Sequence, residues 1–260
     1  MDAITIKTVE QFIAQVRADS AGWPYKWFRG EPAADTPLIP KLYRLRPDGR
    51  ARDENTLLQL FRMRAPTFST RPCPDRGATD QWLFLAQHFG LPTRLLDWTE
   101  SALVGLYFAI QESKPPKPKP HVVWMLNPTE LNQLSVSPGR VPIGSNEFPL
   151  TWVDPRPKEI NIGFINICGA WENDAQGVSL PVAIRPTNID PRMSAQRSCF
   201  TVQGKDKNSL AQLVPGVLKR YEVEPNDRQK MRDDLLMLGV SHSTVFPDLT
   251  GLANELGDLY

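Results

Sequence analysis

The chain has 260 residues, of which 41% are hydrophobic and 23% are charged, and its formal net charge is +1. This composition is typical of a soluble globular protein, and the length suits one large domain or two small ones. The near-neutral charge argues against the overall basic footprint expected of a duplex nucleic-acid binder, but it leaves room for a local basic groove.

Cysteine and histidine are scarce and widely spaced. The three cysteines and three histidines are Cys73, Cys168, Cys199, His88, His121 and His242. Their spacing fits neither a disulfide framework nor a zinc site of paired ligands, so we expect no metal centre. Cys199 has no histidine close to it in sequence and is predicted to be a buried thiol.

The first residues, MDAITIKTVEQFIAQVRAD, show no basic leader ahead of an apolar run. No apolar stretch approaches the length of a membrane-spanning helix. We therefore expect a cytoplasmic protein without a membrane partner.

Hydrophobic periodicity predicts both helices and strands in the first half of the chain. Residues 1–22 are predicted to form a short strand and a helix. The predicted strands are Ile4–Ile6, Tyr25–Arg29 (ended by Gly30) and Pro92–Trp98. The predicted helices run from the N-cap Thr8 to about Asp19, over Asp53–Arg64 and Asp80–Phe89, and from Asp97 to about Ile110.

The second half opens with a proline-rich surface connector, Ser113–Pro120. The sequence from Asn127 to about Lys158 is predicted to have irregular structure. Further strands are predicted at His121–Leu126, Ile160–Ile167, Leu180–Ile184, Cys199–Val202 and Thr244–Phe246. Helices are predicted at Arg228–Leu238 and after the cap Asp248.

The proline-rich connector could mark a boundary between two domains, but strands on its two sides would then lack partners. We therefore predict a single domain over residues 1–260. The irregular mixture of elements indicates the α+β class, with mixed or antiparallel sheets flanked by helices.

The densest segment is LAQHFGLPTRLLDWTESALVGLYFA, residues 85–109. Its polar and aromatic residues between two apolar helical patterns are Gln87, His88, Thr93, Arg94, Asp97 and Trp98. Such a group is costly to bury unless its members bond one another or a ligand. The segment is therefore either a structural cluster of polar residues that bond one another or part of a binding site.

Each candidate in this segment has a structural alternative. Asp97-x-x-Glu100 has the spacing of a capping box, which favours a helix-capping role for Asp97. His88 ends a helix, where a cation meets the dipole favourably, although it could instead serve as a base in a cleft shared with Thr93. Arg94 alternates with Thr93 on the predicted strand, so we expect it to be a structural tie on the opposite face. Gln87 could reach the pocket or bond a loop.

Arginines offer candidate anion contacts. Arg29 ends a predicted strand, where its guanidinium could hold a phosphate or form a salt bridge to Glu31 or Asp97. Gly30 is expected to leave backbone room for an anion. Arg192 precedes Gln196 in a predicted loop and could also bind phosphate.

Four stretches together resemble the FRG domain, a bacterial family named for a Phe-Arg-Gly-type motif. They are WFRGEP (Trp27–Pro32), the central segment, NIDPRMSAQRSCFTV (Asn188–Val202) and LLMLGVSHSTVFPDLTGLANEL (Leu235–Leu256). The likeness extends from about Trp23 to Leu256. It implies a bacterial protein for which a toxin or phage-defence role is expected.

A more distant similarity links the chain to ADP-ribosyltransferases, and it implies a divergent core of that type. Phe28-Arg29-Gly30 is similar to their aromatic-Arg-Gly strand, whose arginine holds the dinucleotide phosphates. Thr93 to Thr99, leading into Tyr107-Phe108-Ala109, is similar to their Ser/Thr motif. Gln196 falls where their catalytic glutamate is expected.

Gln196 is a departure, because a neutral amide stabilises cationic charge less than a carboxylate does. If the similarity holds, Asp97 or Glu100 supplies the charge, or the protein binds a nucleotide without transferring ADP-ribose. On this reading the catalytic candidates are Asp97, Gln196 and His88. The nucleotide-binding candidates are Arg29, Gly30, Thr93 and Arg192.

The leading hypothesis is therefore an effector that binds a nucleotide such as NAD as a substrate, with no tightly bound cofactor, and has ADP-ribosyltransferase-like or NAD-cleaving activity. A protein or a nucleic acid is the expected target. One alternative is a non-catalytic module that recognises a nucleotide, a nucleic-acid end or a protein. The last is a metal-dependent nuclease that uses His88, Asp97 and Glu100.

Overall fold

A computed structural model describes residues 3–69, 72–75, 77–111, 119–136, 179–186 and 190–259. Within these ranges seven strands form one mixed sheet, which confirms the α+β class. The strands are β1 (Ile4–Ile6), β2 (Trp27–Glu31), β3 (Leu95–Thr99), β4 (His121–Leu126), β5 (Val182–Ile184), β6 (Ser198–Val202) and β7 (Leu218–Val223). Their order across the sheet is β1-β7-β4-β2-β3-β6-β5; β1 and β7 are parallel, and all other neighbours are antiparallel.

Helices flank both faces of this sheet. They are α1 (Val9–Asp19), α2 (Glu54–Phe68), α3 (Thr79–His88), α4 (Ala102–Ile110), α5 (Pro128–Val136), α6 (Pro191–Ala195), α7 (Leu210–Leu213), α8 (Arg228–Met237), α9 (His242–Val245) and α10 (Leu249–Leu259). Short 3-10 turns lie at Lys41–Tyr43, Pro215–Val217 and Pro225–Asp227. Among the helices that the structure describes, none has the length and apolar character needed to cross a membrane.

Local signals fixed several helix starts correctly. The Thr8 hydroxyl accepts the backbone N–H of Gln11 at the start of α1. Asp248 likewise accepts the N–H of Gly251 at 2.7 Å at the start of α10. Such side-chain oxygens satisfy backbone donors that the first helical turn leaves unpaired.

The capping role expected of Asp97 is wrong. Helix α4 begins at Ala102, and its N-cap is Ser101, whose hydroxyl accepts the N–H of Val104. Asp97 lies inside β3, in register with Phe200 of β6. The ladder with a strand about a hundred residues away thus overrides the local capping pattern.

Other predictions also need correction. Strand β2 extends through Gly30 to Glu31, so Gly30 does not end it. The stretch after Asn127 contains helix α5, and the strand predicted at Thr244–Phe246 overlaps helix α9. Strand β7 was not predicted. The predicted strand Ile160–Ile167 and most of the connector lie outside the described residues.

The two faces of the sheet carry separate apolar clusters. On one face, Phe28, Met125 and neighbours pack with α1, α4 and α8. Further along that face, a second cluster around Leu95 and Phe200 packs with α2 and α3. The opposite face, with Trp27 at its centre, packs with α5 and α7. A cleft lies on the first face, where the strands that carry its two clusters meet.

Candidate functional site

A cleft of about 380 Å³ opens over strands β2, β3 and β6. The end of α3, helix α4 and helix α6 form its walls. Six of the residues predicted from sequence line it together: Arg29, Gly30, His88, Asp97, Arg192 and Gln196. The seventh, Thr93, does not.

Asp97 supplies the carboxylate of this group, and its side chain is accessible. Its side chain is 56% exposed, and one carboxylate oxygen accepts a hydrogen bond from Nε2 of Gln87 at 2.8 Å. The same oxygen, Oδ2, lies 3.7 Å from Nη1 of Arg29. The carboxylate is therefore held in place while it remains open to a ligand.

Thr93 acts through Gln87. It is buried at 1% exposure, so the expectation that it contacts a ligand is wrong. Its hydroxyl accepts the N–H of Leu95 at 3.1 Å and donates to Oε1 of Gln87. This bond fixes the Gln87 amide with its NH₂ group toward Asp97, a role that no local sequence signal revealed.

The Arg29 guanidinium is engaged within the protein. Nε donates to Glu31 Oε1 at 2.7 Å, and Nη2 lies 2.6 Å from the same oxygen. Nη1 donates to the backbone oxygen of Asp97 at 2.8 Å. Strands β2 and β3 pair at Phe28 and Thr99, and the guanidinium links them beyond that point. The salt-bridge alternative for Arg29 is the one that the structure has.

Gly30 is explained by packing. A Cβ atom added there would lie 2.2 Å from the backbone N of Ala109 and 2.2 Å from the backbone O of Gly105, both in α4. Gly105 has the reciprocal restriction, because its Cβ would meet Cβ of Phe28 at 2.7 Å. Helix α4 fills the side of Gly30 on which a side chain would stand, so packing accounts for the glycine; Gly30 also lines the cleft, and the anion contact expected there stays a prediction.

His88 closes one side of the cleft. Its side chain is only 11% exposed, and its Nε2 lies 3.5 Å from Oδ1 of Asp190. Asp190 in turn caps α6 by accepting the N–H of Arg192 at 2.9 Å. The carboxylate thus couples the end of α3 to the start of α6.

Arg192 and Gln196 belong to α6 and its C-cap. The Arg192 guanidinium stacks 4.4 Å from the ring centroid of Phe246, and burial lowers its pKa, a shift opposed by Asp248 and Asp97. Gln196 donates from Nε2 to the backbone oxygen of Val245 at 3.2 Å. Its amide is therefore tied to α9.

The nuclease alternative requires Glu100 to join His88 and Asp97 at a metal site. Glu100 pairs with Arg185 and lies 3.8 Å from Arg197, and it does not line the cleft. In the part of the chain that the structure describes, no three His, Cys, Asp or Glu side chains converge as a metal site.

Cys199 is fully buried, which confirms the prediction of a buried thiol, and burial raises the pKa of this thiol.

Comparison with known proteins gives one result. Residues 25–117 match the FRG domain. The match covers less than half of the chain and supports assigning this segment to the FRG family. No curated protein and no solved structure matches the chain.

The FRG segment runs from just before β2 to just after α4 and therefore supplies most of the cleft. Arg29, Gln87, His88 and Asp97 all lie within it. Arg192 and Gln196 come from beyond it, on α6 and its C-cap. The cleft is thus composed of a family segment and a later part of the same chain.

Proposed function

We propose that this FRG-domain protein binds a nucleotide, NAD or a close relative, in the cleft and cleaves the bond between nicotinamide and ribose. The observation that carries the proposal is the Asp97 carboxylate, open to the cleft and oriented by Gln87. The order of the strands in the sheet supports it. The first two motifs of the distant similarity lie on β2 and β3, the third falls just before β6, and these three strands are consecutive neighbours.

The chemistry requires an anion at this position. When the bond from ribose C1′ to the nicotinamide nitrogen breaks, its electrons leave with nicotinamide and positive charge develops on the ribose. A fixed carboxylate stabilises that charge more in the transition state than in the ground state. Water or an acceptor hydroxyl then bonds to C1′, and its proton leaves to solvent or to His88.

Phosphate recognition is assigned to Arg192 instead of Arg29. The three nitrogens of the Arg29 guanidinium already contact Glu31 and the Asp97 carbonyl. Arg192 lines the cleft with its guanidinium stacked on Phe246, an arrangement that holds the charge without consuming its N–H donors. Planar guanidinium groups bind phosphates through paired hydrogen bonds.

The test is nicotinamide release from NAD by the purified chain, followed by chromatography. Asp97→Asn is expected to lower the rate about 100-fold or more, because it keeps the side-chain shape and removes the charge. Asp35→Asn is the matched control: that exposed carboxylate pairs with Lys119 outside the cleft and should leave the rate unchanged. Full turnover by Asp97→Asn would contradict the proposal, and absence of turnover with NAD and related dinucleotides would reject catalysis.

A second candidate is a binding module without catalysis. It is favoured by Gln196, which occupies the position where the distant similarity expects a glutamate. The amide of Gln196 donates a hydrogen bond to the backbone oxygen of Val245. In that case nucleotides raise the melting temperature without being consumed, because a ligand that binds only the folded state stabilises it. Arg192→Gln should remove this shift.

The biological setting follows from the same family resemblance. Loss of NAD in a bacterial cell would halt growth, so the proposed activity is compatible with a toxin or phage-defence effector acting in the cytoplasm. Induced expression in bacteria, with cellular NAD measured over time, tests this setting. Unchanged NAD and growth would argue against it.

A further inference from the structure

Basic residues are concentrated in one segment beside the cleft. Residues 41–52 contain five cationic side chains and a single acid, Asp48, in a chain whose net charge is only +1. The cationic residues are Lys41, Arg44, Arg46, Arg50 and Arg52. A local positive field of this kind attracts polyanions even when the whole molecule is near neutral.

Specific contacts fix this segment against the cleft. Nζ of Lys41 donates to the backbone oxygen of Gly90 at 3.2 Å, and Gly90 lines the cleft. From the loop after β6, Lys207 lies 4.4 Å from the ring centroid of Tyr43 and donates to its hydroxyl. We call the exposed cations Lys41, Arg46, Arg50 and Lys207 the basic rim.

The other cations of the segment serve the fold. Arg44 is half-buried and donates from Nε to the backbone oxygen of Ile39 at 2.9 Å. Arg52 donates to the backbone oxygens of Lys41 and Arg44. By contrast, Arg46 pairs with Asp48 at the surface, and both side chains are more than 40% exposed. Exposed pairs of this kind are weak, so Arg46 remains open to a stronger anionic partner.

Phe89 places an exposed aromatic ring at the end of α3, next to residues of the cleft. Phe89, between the cleft residues His88 and Gly90, is 69% exposed. Its ring also lines a groove of about 430 Å³ between α2 and α3, together with Arg64 and with Phe68, which is 84% exposed. Exposed rings beside basic side chains are the two components with which proteins hold single strands: rings stack on bases while cations follow the phosphates.

We propose that the basic rim and Phe89 bind single-stranded nucleic acid and deliver it to the cleft. A duplex offers few base faces to Phe89, whereas a strand or a frayed end does. The delivery to the cleft, with the strand as acceptor for ADP-ribose, rests on the proposed function. Binding by the rim does not, because it requires neither NAD nor Asp97.

The test is fluorescence anisotropy with a labelled 12-nucleotide single strand, without NAD, at several salt concentrations. Arg46→Glu combined with Arg50→Glu is expected to weaken binding at least 10-fold. It should also flatten the slope of log affinity against log salt by about 1.4, since each lost phosphate contact contributes about 0.7. Phe89→Ala is expected to weaken binding about 10-fold while leaving the salt slope unchanged.

The matched control is Lys7→Glu combined with Lys230→Glu, which changes the net charge equally at exposed positions near α1 and α8. Equal weakening by this control would overturn the proposal, since it would show a response to overall charge alone. Equal affinity for the corresponding duplex or for an acidic peptide would also overturn it. Strand binding without nicotinamide release would sustain the rim and reject the catalytic cleft, and release without strand binding would do the reverse.

Discussion

At the scale of single residues, Gly30 is required by packing. It nevertheless lies in a motif, Phe-Arg-Gly, whose arginine suggests a ligand-binding role. The backbone of α4 passes so close to β2 that neither Gly30 nor Gly105 has space for a side chain. This close approach places Phe108 and Gln111 of the α4 end at the cleft wall. The glycine therefore shapes the cleft indirectly, by setting the distance between a strand and a helix.

Gly30→Ala is expected to lower the free energy of unfolding by about 3 kcal/mol or more, because backbone atoms of α4 cannot yield as a flexible side chain would. Denaturant unfolding measures the loss. Gly216→Ala is the control: Gly216 has no atom within 4 Å of the added Cβ and should show almost no change. A stable Gly30→Ala protein that had lost only nucleotide binding would restore the anion-contact interpretation.

At the scale of elements, a buried ion pair joins the first turn of α2 to the start of β3. Glu54 accepts the backbone N–H of Arg94 at 2.8 Å and the Arg94 Nε–H at 2.6 Å. Both side chains are at most 10% exposed. The structural tie predicted for Arg94 therefore has a definite partner, and it orders the chain just before the strand that carries Asp97.

Glu54→Gln should lower the free energy of unfolding by about 3 kcal/mol, because it leaves the Arg94 charge buried without its counter-ion. Thermal or denaturant unfolding gives the value. Asp48→Asn breaks the exposed pair with Arg46 and should cause no measurable change. Equal effects from the two variants would show that burial does not distinguish these pairs.

A second element-level tie links α9 to α10. Glu255 accepts hydrogen bonds from the Ser241 hydroxyl and the Ser243 N–H, both at 2.6 Å, and these bonds lower its pKa below its ordinary value of 4.5. A carboxylate with a lowered pKa stabilises the fold above about pH 4.5, and that contribution is lost as the pH falls through the folded-state value.

Glu255→Gln should therefore melt roughly 2 °C below the natural chain at pH 7, and the difference should close under strongly acidic conditions. Melting curves across pH 3 to 7 provide the measurement, with the exposed Glu224→Gln as control. A difference that stays constant, or that grows toward acid pH, would contradict this role.

How far the sequence predicted these elements depends on the range of the interactions. Caps such as Thr8 and Asp248 are local and were found. Asp97 was misassigned because its capping-box spacing is local, whereas Phe200, with which it is in register, lies on a strand about a hundred residues further along the chain. Strand β7 was missed because its first two residues break the alternation of apolar and polar residues: Leu218 falls on the face of Arg220 and Glu222, and Lys219 falls on the face of Tyr221.

The candidate site shows the same division. Residue type and motif order pointed to six residues that line one cleft, although their roles stay predictions. The sequence offered the salt bridge between Arg29 and Glu31 as one alternative but did not select it over a phosphate contact, and it gave no sign of the hydrogen bond between Thr93 and Gln87. The first depends on side-chain directions where β2 and β3 stop pairing, and the second on the turn between α3 and β3; strand periodicity specifies neither geometry.

At the scale of the whole molecule, the FRG match ends before the sheet is complete. Within residues 25–117 lie β2 and β3, which contact each other at Phe28 and Thr99. Each strand has its longer ladder with a strand outside the match. Strand β2 pairs along its full length with β4, and β3 pairs along its full length with β6.

An isolated fragment of residues 25–117 is therefore expected to remain unfolded. It would expose strand edges and the apolar residues that pack beneath β4, β6 and β7, and two strands with so little mutual pairing are not independently stable. The measurement is the amide chemical-shift dispersion of the labelled fragment, with the 260-residue chain as the folded control. A well-dispersed fragment spectrum would show that the family segment folds alone, and that α6, which contains Arg192 and is capped by Gln196, is an addition to a finished domain instead of part of it.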